Sequence, residues 1–187
     1  MLQLLKSKRH SYSGRESYRY VERVIRNGRN VAISSPFIDS YYANFLVRNA
    51  KGKRIRVLSS SMEKGAEKIL NGGGIRWWTL KLSSATLAFN IFLFAFKLST
   101  LPVIAASAAI ILACIAFFRR GNPGISVKIP KSFVHAKMYI ADNEAAEGSA
   151  NLTYAGMHKN IEHVEVVTDP EDVKELRYQF QKIWESS

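Results

Sequence analysis

The sequence predicts an α/β protein: an α/β/α sandwich with a mixed central sheet, interrupted by an apolar two-helix hairpin of transmembrane type. Three observations predict it. Short β-rich runs alternate with segments of helical period along most of the chain, which is the pattern of layered helices and sheet. The length of 187 residues suits one domain with a sizeable core. One segment, Leu82 to Phe118, breaks the alternation with 37 residues that carry a single charge, Lys97.

The elements follow in order. From Arg15 to Asn27, "RESYRYVERVIRN" places Tyr18, Val21, Val24 and Ile25 at helical spacing and is closed by Gly28, before the strand "NVAISSPFI". Asp39 is positioned to cap a second helix, "SYYANFLVRNAK", which stops at Gly52 ahead of the strand "RIRVLSS". "MEKGAEKILNGGG" is a short helix ended by three glycines, followed by the strand "IRWW". After the apolar segment come the strands "ISVKI" and "FVHAKMYIA", a turn at "DNEAA", the strand "EHVEVVT", and a last helix from Pro170 to about Glu185 with proline in its first turn.

The apolar segment is read separately. A bilayer core takes about 20 apolar residues per helix, so there is enough for two short spans joined near Lys97, Ser99 and Pro102. If "IRWW" and "FVHAKMYIA" share a sheet, the insert crosses a membrane twice or not at all. Trp77, Trp78 and Lys81 precede it and Arg119 and Arg120 follow, where interfacial aromatics and cytoplasmic positive charge are expected. Ala105, Ala109 and Ala113 would let two helices approach closely. A hairpin buried in an oligomer core or partner groove is the alternative. The expected organisation is thus residues 1–79 and 121–187 as the two parts of one α/β domain, with residues 80–120 as an inserted hairpin that anchors it to a lipid bilayer through residues 82–118.

Charge bounds the partners. There are 27 Lys and Arg against 15 Asp and Glu, a formal net charge of +12, which predicts an anionic partner, either nucleic acid or an anionic membrane surface. The cluster Lys51, Lys53, Arg54 and Arg56 is open to two readings, a solvated face or a nucleic-acid track. The one cysteine, Cys114, lies in the apolar segment and makes no intrachain disulfide. The first residues, "MLQLLKSKRHSYSGR", read as mature chain because their apolar stretch is short and precedes the charges.

The chemistry gathers after the apolar segment. In an extended "FVHAKMYIAD", His135, Lys137 and Tyr139 share one face while Val134, Ala136, Met138 and Ile140 share the other. The turn returns the chain to Gly148, Ser149 and Asn151, a close-approach position and two small neutral donors. An imidazole, an ammonium and two such donors at one place suit a phosphate. The remaining histidines, His10, His158 and His163, have no metal-ligand spacing, so neither a metal nor a cofactor is expected. Tyr139 is read as packing, Glu165 as a solvated strand residue and Asp142 as a turn fastening.

The pattern His135-x-Lys137, then Asp142, then Gly148-Ser149-x-Asn151 resembles the HKD motif of the phospholipase D superfamily, and "NIEHVEVV" resembles the Asn-x-Glu strand that follows it there. Five residues separate Asp142 from Gly148, where the family usually has six. The resemblance also covers the early helix and strand pairs, and leaves only the apolar segment outside. It implies the phospholipase D-like fold and, because one site normally takes two motifs, a homodimer with the site on its two-fold axis. It further implies His135 as nucleophile and, from the other subunit, as general acid and base. Lys137, Ser149 and Asn151 would bind the phosphate, Glu162 would orient an imidazole, and Asp142 belongs to the motif as a further catalytic position.

Three functions are implied or allowed. The first is a metal-independent phosphodiesterase working as a membrane-anchored nuclease on DNA or RNA. The second is a phospholipase D-type hydrolase of membrane phospholipids. The third is a catalytically idle module that binds phosphorylated ligands, which the intact His135 and Lys137 disfavour. Basic residues on both flanks of the apolar segment place the catalytic domain on the cytoplasmic side of the membrane.

Overall fold

The computed structural model describes residues 9–72, 107–108, 122 and 124–187. The chain divides into two compact units, Met1–Asn71 with Asn122–Ser187, and Gly72–Gly121. The expected strand "IRWW", the boundaries at 79, 80, 120 and 121, and almost all of Leu82–Phe118 lie outside the described residues. Among the described residues, no helix is long and apolar enough to cross a membrane.

The larger unit is built on strands β1 (Arg9–Gly14), β2 (Asn30–Ser34), β4 (Arg54–Leu58), β6 (Ile125–Lys128), β7 (Met138–Ile140), β8 (Ala145–Gly148) and β9 (Glu162–Val167). They form one sheet in the order β1-β9-β8-β7-β2-β4-β6. β2, β4 and β6 are parallel, and β1, β9, β8, β7 and β2 pair antiparallel in turn, so the sheet is mixed as the sequence predicts. The short β3 (Phe37–Ile38) and β5 (Ser61–Met62) form a separate parallel pair.

Alternate residues of each strand serve opposite faces. Val31, Ile33, Ile55, Val57, Tyr139, Val164 and Val166 bury one face against α1 (Tyr18–Asn27), α2 (Ser40–Asn49) and α3 (Lys64–Leu70). Ala32, Leu58, Met138, Ile140, Ala145 and Val167 bury the other against Val173, Leu176 and Phe180 of α4 (Pro170–Ser186). Asp39 caps α2 as expected, its carboxylate accepting the Tyr42 N–H at 3.0 Å.

Four expectations need correction, the first being the turn at "DNEAA", which ends before Ala145 because β8 begins there and pairs with β7 and β9. The strand expected over 133–141 is regular only at Met138–Ile140, because its partner β2 ends at Ser34, opposite Met138, and residues before that have no ladder to join. "NVAISSPFI" is not one strand: β2 stops at Ser34, and Pro36, which has no N–H to donate, separates it from β3. β1, unforeseen, has no fully buried residue; its register with β9 makes it a strand rather than any period of its own.

Candidate functional site

The end of the sheet where β2 and β4 finish carries an open cavity of ≈ 710 Å³, lined by residues 135–138, 147–149, Asn151 and Gln179. Hydroxyls hold its leading segment in place of strand hydrogen bonds. Ser60 Oγ accepts the Val134 N–H at 2.7 Å and donates to the Val134 carbonyl at 3.0 Å. Ser34 Oγ donates to the Ala136 carbonyl at 3.2 Å. The backbone is therefore pinned on both sides of His135, whose ring is exposed and stacks 6.1 Å from the Phe133 ring.

Lys137 is 7% exposed, yet its ammonium stands 3.1 Å from Nε2 and 3.3 Å from Nδ1 of His135 and donates to the His135 carbonyl at 3.0 Å. Burial lowers the Lys137 pKa, and the charge of Glu162 acts against that shift. A desolvated ammonium beside an imidazole lacks a full counter-charge, and a phosphate oxygen would supply it.

The other wall comes from the end of β8. Gly148 is required here by close approach, since a Cβ would lie 2.0 Å from the His163 carbonyl oxygen. That carbonyl accepts the Ser149 N–H at 2.9 Å, and Ser149 Oγ accepts the His163 N–H at 3.0 Å. Ser149 Oγ also donates to Glu162 Oε2, while Asn160 Nδ2 donates to Glu162 Oε1 at 3.0 Å. Asn151 Oδ1 is buried and has no hydrogen-bond partner among the described residues. Its backbone is fixed by its neighbours: Tyr139 OH donates to the Ala150 carbonyl at 2.7 Å, and Ser35 Oγ accepts the Leu152 N–H at 2.9 Å.

Of the six residues singled out in the sequence, His135, Lys137, Ser149 and Asn151 line the cavity, and Glu162 stands one hydrogen bond behind it. Glu162 was expected to orient an imidazole, but within the described chain its oxygens engage Ser149 and Asn160. Asp142 stands apart, beyond the far end of β7. Its carboxylate accepts from the Arg29 N–H at 2.7 Å, the Asn30 N–H at 3.3 Å and Asn30 Nδ2 at 2.8 Å. It fastens the β7–β8 turn to the start of β2, and this geometry corrects its placement among the catalytic residues. Tyr139 packs in the core. His158 joins Tyr42, with Nε2 3.1 Å from its hydroxyl, and His163 Nδ1 lies 2.9 Å from Ser13 Oγ. Glu165 lies 3.7 Å from Arg9.

Sequence reasoning missed the serines behind the cavity, Ser34, Ser35 and Ser60, and the cavity residues Glu147 and Gln179. The runs of two and three serines at the ends of β2 and β4, in "AISSPF" and "VLSSSM", were the available signal. Burial raises the Glu147 pKa, while Arg9, 3.4 Å away, acts against the shift. Among the described residues, no group of three or more His, Cys, Asp or Glu could hold a metal ion.

Fold and cavity together define an α/β domain whose open cavity, at the finishing end of its parallel strands, presents His135, Lys137, Ser149 and Asn151. Residues 20–184 match the family described as cardiolipin synthase, PLD-like domain. The chain belongs to this phospholipase D-like family, whose members include phosphodiesterases. Among solved structures it is similar to Nuc from Salmonella typhimurium, a phospholipase D family member, at 17% identity and a TM-score of 0.58, over 95% of both chains. NucT from Helicobacter pylori matches at 14% identity and a TM-score of 0.56, over 95% of this chain and 96% of that one. Polyphosphate kinase from Porphyromonas gingivalis matches at 13% identity and a TM-score of 0.51, over 91% of this chain and 22% of that one. At these identities the likeness is one of fold. No curated protein matches the chain.

Proposed function

We propose that the chain is a metal-independent phosphodiesterase that cleaves DNA or RNA through a phosphohistidine on His135, at a site completed by a second copy. One observation carries this reading: the Lys137 ammonium lies 3.1 Å from His135 Nε2 at an open cavity that also presents Ser149 and Asn151. A nucleophile and the charge that stabilises its transition state stand side by side. In the first step a ring nitrogen of His135 bonds to phosphorus as the P–O bond to the leaving group breaks, and the partner subunit's His135 gives that oxygen a proton. In the second the same partner imidazole takes a proton from water, whose oxygen displaces His135 from phosphorus. Lys137 and Asn151 hold the non-bridging oxygens throughout, and Ser149 joins them when its hydroxyl turns from Glu162 to the phosphate. The net charge of +12 favours a polyanionic substrate.

A phospholipid substrate is the second reading. Phe133, 62% exposed, stands beside His135 and against Phe37, an apolar rim that suits acyl chains, and the family is described by a lipid enzyme. The test is to incubate the purified protein in EDTA with single-stranded DNA, duplex DNA, RNA and mixed phospholipids, beside a His135→Asn control. Cleavage of nucleic acid that His135→Asn abolishes supports the nuclease; headgroup release alone transfers the activity to lipid; full activity in the variant ends the phosphohistidine mechanism.

The anchor belongs to the same proposal. Residues 82–118 form a membrane hairpin, with the catalytic domain on the cytoplasmic side. Their length and single charge support it. The intact chain should then require detergent for extraction, and replacing residues 80–120 with a short Gly/Ser linker should leave a soluble, dimeric, active domain. Release of the intact chain by high salt alone overturns the anchor.

A further inference from the structure

A second cavity, of ≈ 590 Å³, opens at the other end of the sheet. It is lined by Arg54, Arg56 and Arg177, with Asn30, Ser126 and Asp142 among its other walls. The register explains the gathering. Asn30 pairs with Arg54, Ala32 with Arg56 and Arg56 with Ser126, so the starting ends of β2, β4 and β6 turn these residues to the face that carries α4. His135 and Lys137 lie before β7, next to where β2 finishes, so the two cavities are at opposite strand ends.

The three guanidiniums are held but not neutralised. Arg56 lies 5.2 Å from the Phe180 ring centroid and donates from Nη1 to Gln181 Oε1 at 2.5 Å. Arg177 donates from Nη2 to the Ala141 carbonyl at 2.6 Å. The Arg54 side chain makes no hydrogen bond to a described residue, and none of the three is in an ion pair among them. Asp142, the one carboxylate among the lining residues, is held by the Arg29 and Asn30 amides and the Asn30 side chain, and its single charge, which acts on Arg177, offsets only part of the three positive ones. Burial lowers the Arg56 pKa and the nearby charge of Arg177 lowers it further, as in a cationic site that lacks its anion. Each guanidinium keeps donors free to fork onto phosphate oxygens.

We propose that this cavity binds the phosphate of an anionic lipid headgroup at a bilayer surface, through Arg54, Arg56 and Arg177. The proposal rests on the membrane reading of residues 82–118. What favours lipid over nucleic acid is where the chain departs and returns. Asn122 Nδ2 donates to the carbonyls of Ile69 at 2.7 Å and Leu70 at 3.0 Å, which ties the return of the chain to its departure at the end of α3. Gly124, which follows, lines the cavity itself and lies so close to β4 that a Cβ would be 2.4 Å from the Lys53 carbonyl oxygen. Asn122 stands four positions after Phe118, the end of the apolar segment, at most about 14 Å of extended chain, so a segment that enters a bilayer tethers these arginines close to the headgroups.

The test uses the full-length chain in vesicles of phosphatidylcholine, with or without phosphatidylglycerol, and reads the unfolding midpoint in each. The midpoint should be higher with phosphatidylglycerol for the wild type and for His135→Asn. Arg54→Gln and Arg54→Gln/Arg177→Lys should lose most of that difference. Arg54→Gln removes an exposed side chain with no described bond, and the difference between lipids, not the absolute midpoint, is the readout. An undiminished difference in both variants overturns the proposal. So does an Arg54-dependent rise produced by inorganic phosphate or single-stranded DNA but not by phosphatidylglycerol. Washing with alkaline carbonate reports separately on the anchor: a chain removed from phosphatidylcholine vesicles refutes the span, while the Arg54-dependent difference measured before washing still decides the cavity.

Discussion

Ser60 holds Val134 by both ends of one residue, its hydroxyl accepting the Val134 N–H at 2.7 Å and donating to the Val134 carbonyl at 3.0 Å. No strand partner does this for the residues just before β7, so a side chain from the end of β4 sets the path of the backbone that carries His135. Ser60→Ala should cost about 1–2 kcal/mol in stability, the net loss of two part-buried bonds. It should also slow turnover roughly tenfold or more by letting the nucleophile drift. Thermal denaturation beside turnover checks both; a stability loss with unchanged turnover would make Ser60 structural only.

Lys137 and Asn151 should each matter to rate far more than to substrate affinity if they bind the added negative charge of the transition state. Lys137→Ala and Asn151→Ala are expected to lose on the order of 100-fold or more in kcat, the scale for removing one such donor. A rise in KM with kcat unchanged would assign them to ground-state binding instead.

Mixed assembly tests the shared site. Wild-type protomers exchanged with His135→Asn protomers should lose activity beyond simple dilution, because a mixed dimer owns one of the two imidazoles it needs. After verified subunit exchange, a linear fall with the wild-type fraction would show that each protomer works alone.

Asp142 should shape acid stability rather than turnover. Partial burial acts to raise its pKa, but the bonds from the Asn30 side chain and from the Arg29 and Asn30 amides, with Arg177 nearby, outweigh it and hold the carboxyl below the ordinary value of 3.8. The unfolded chain therefore binds the proton first. Asp142 contributes stability that is full above the ordinary value and is lost as the pH falls through the lowered folded one. Asp142→Asn should leave kcat within about twofold, by analogy with surface positions, and should flatten the dependence of Tm on pH in the acid range. A variant whose Tm still falls as steeply as the wild type's would remove this role.

The helices and the cavity residues are legible in the sequence for local reasons. Periodicity marks α1 through Val21, Val24 and Ile25, and an aspartate before a helical run caps α2 through Asp39. The spacing of His135, Lys137, Ser149 and Asn151 survives into space because a tight turn between two paired strands, β7 and β8, brings them to one cavity. Alternation along an extended chain already separates Lys137 and Tyr139 from Met138 and Ile140, as the two sides of the core do.

Other features were decided only by partners distant in sequence. β1 has no apolar period, and pairing with β9 alone makes it a strand. β7 is short because β2 ends at Ser34, so Ser34 and Ser60, far back along the chain, take over the ladder's task around His135. Asp142 falls within the motif by spacing yet belongs to the opposite strand ends, since a strand carries its two termini apart however close they are in sequence. The arginines of the second cavity come from β4 and from α4, which nothing in the sequence joins; parallel register and the packing of α4 across the sheet bring Arg54, Arg56 and Arg177 together. Local order follows from each residue's own neighbours along the chain, whereas convergence of separate strands requires the whole sheet to close, and only the tertiary structure contains that.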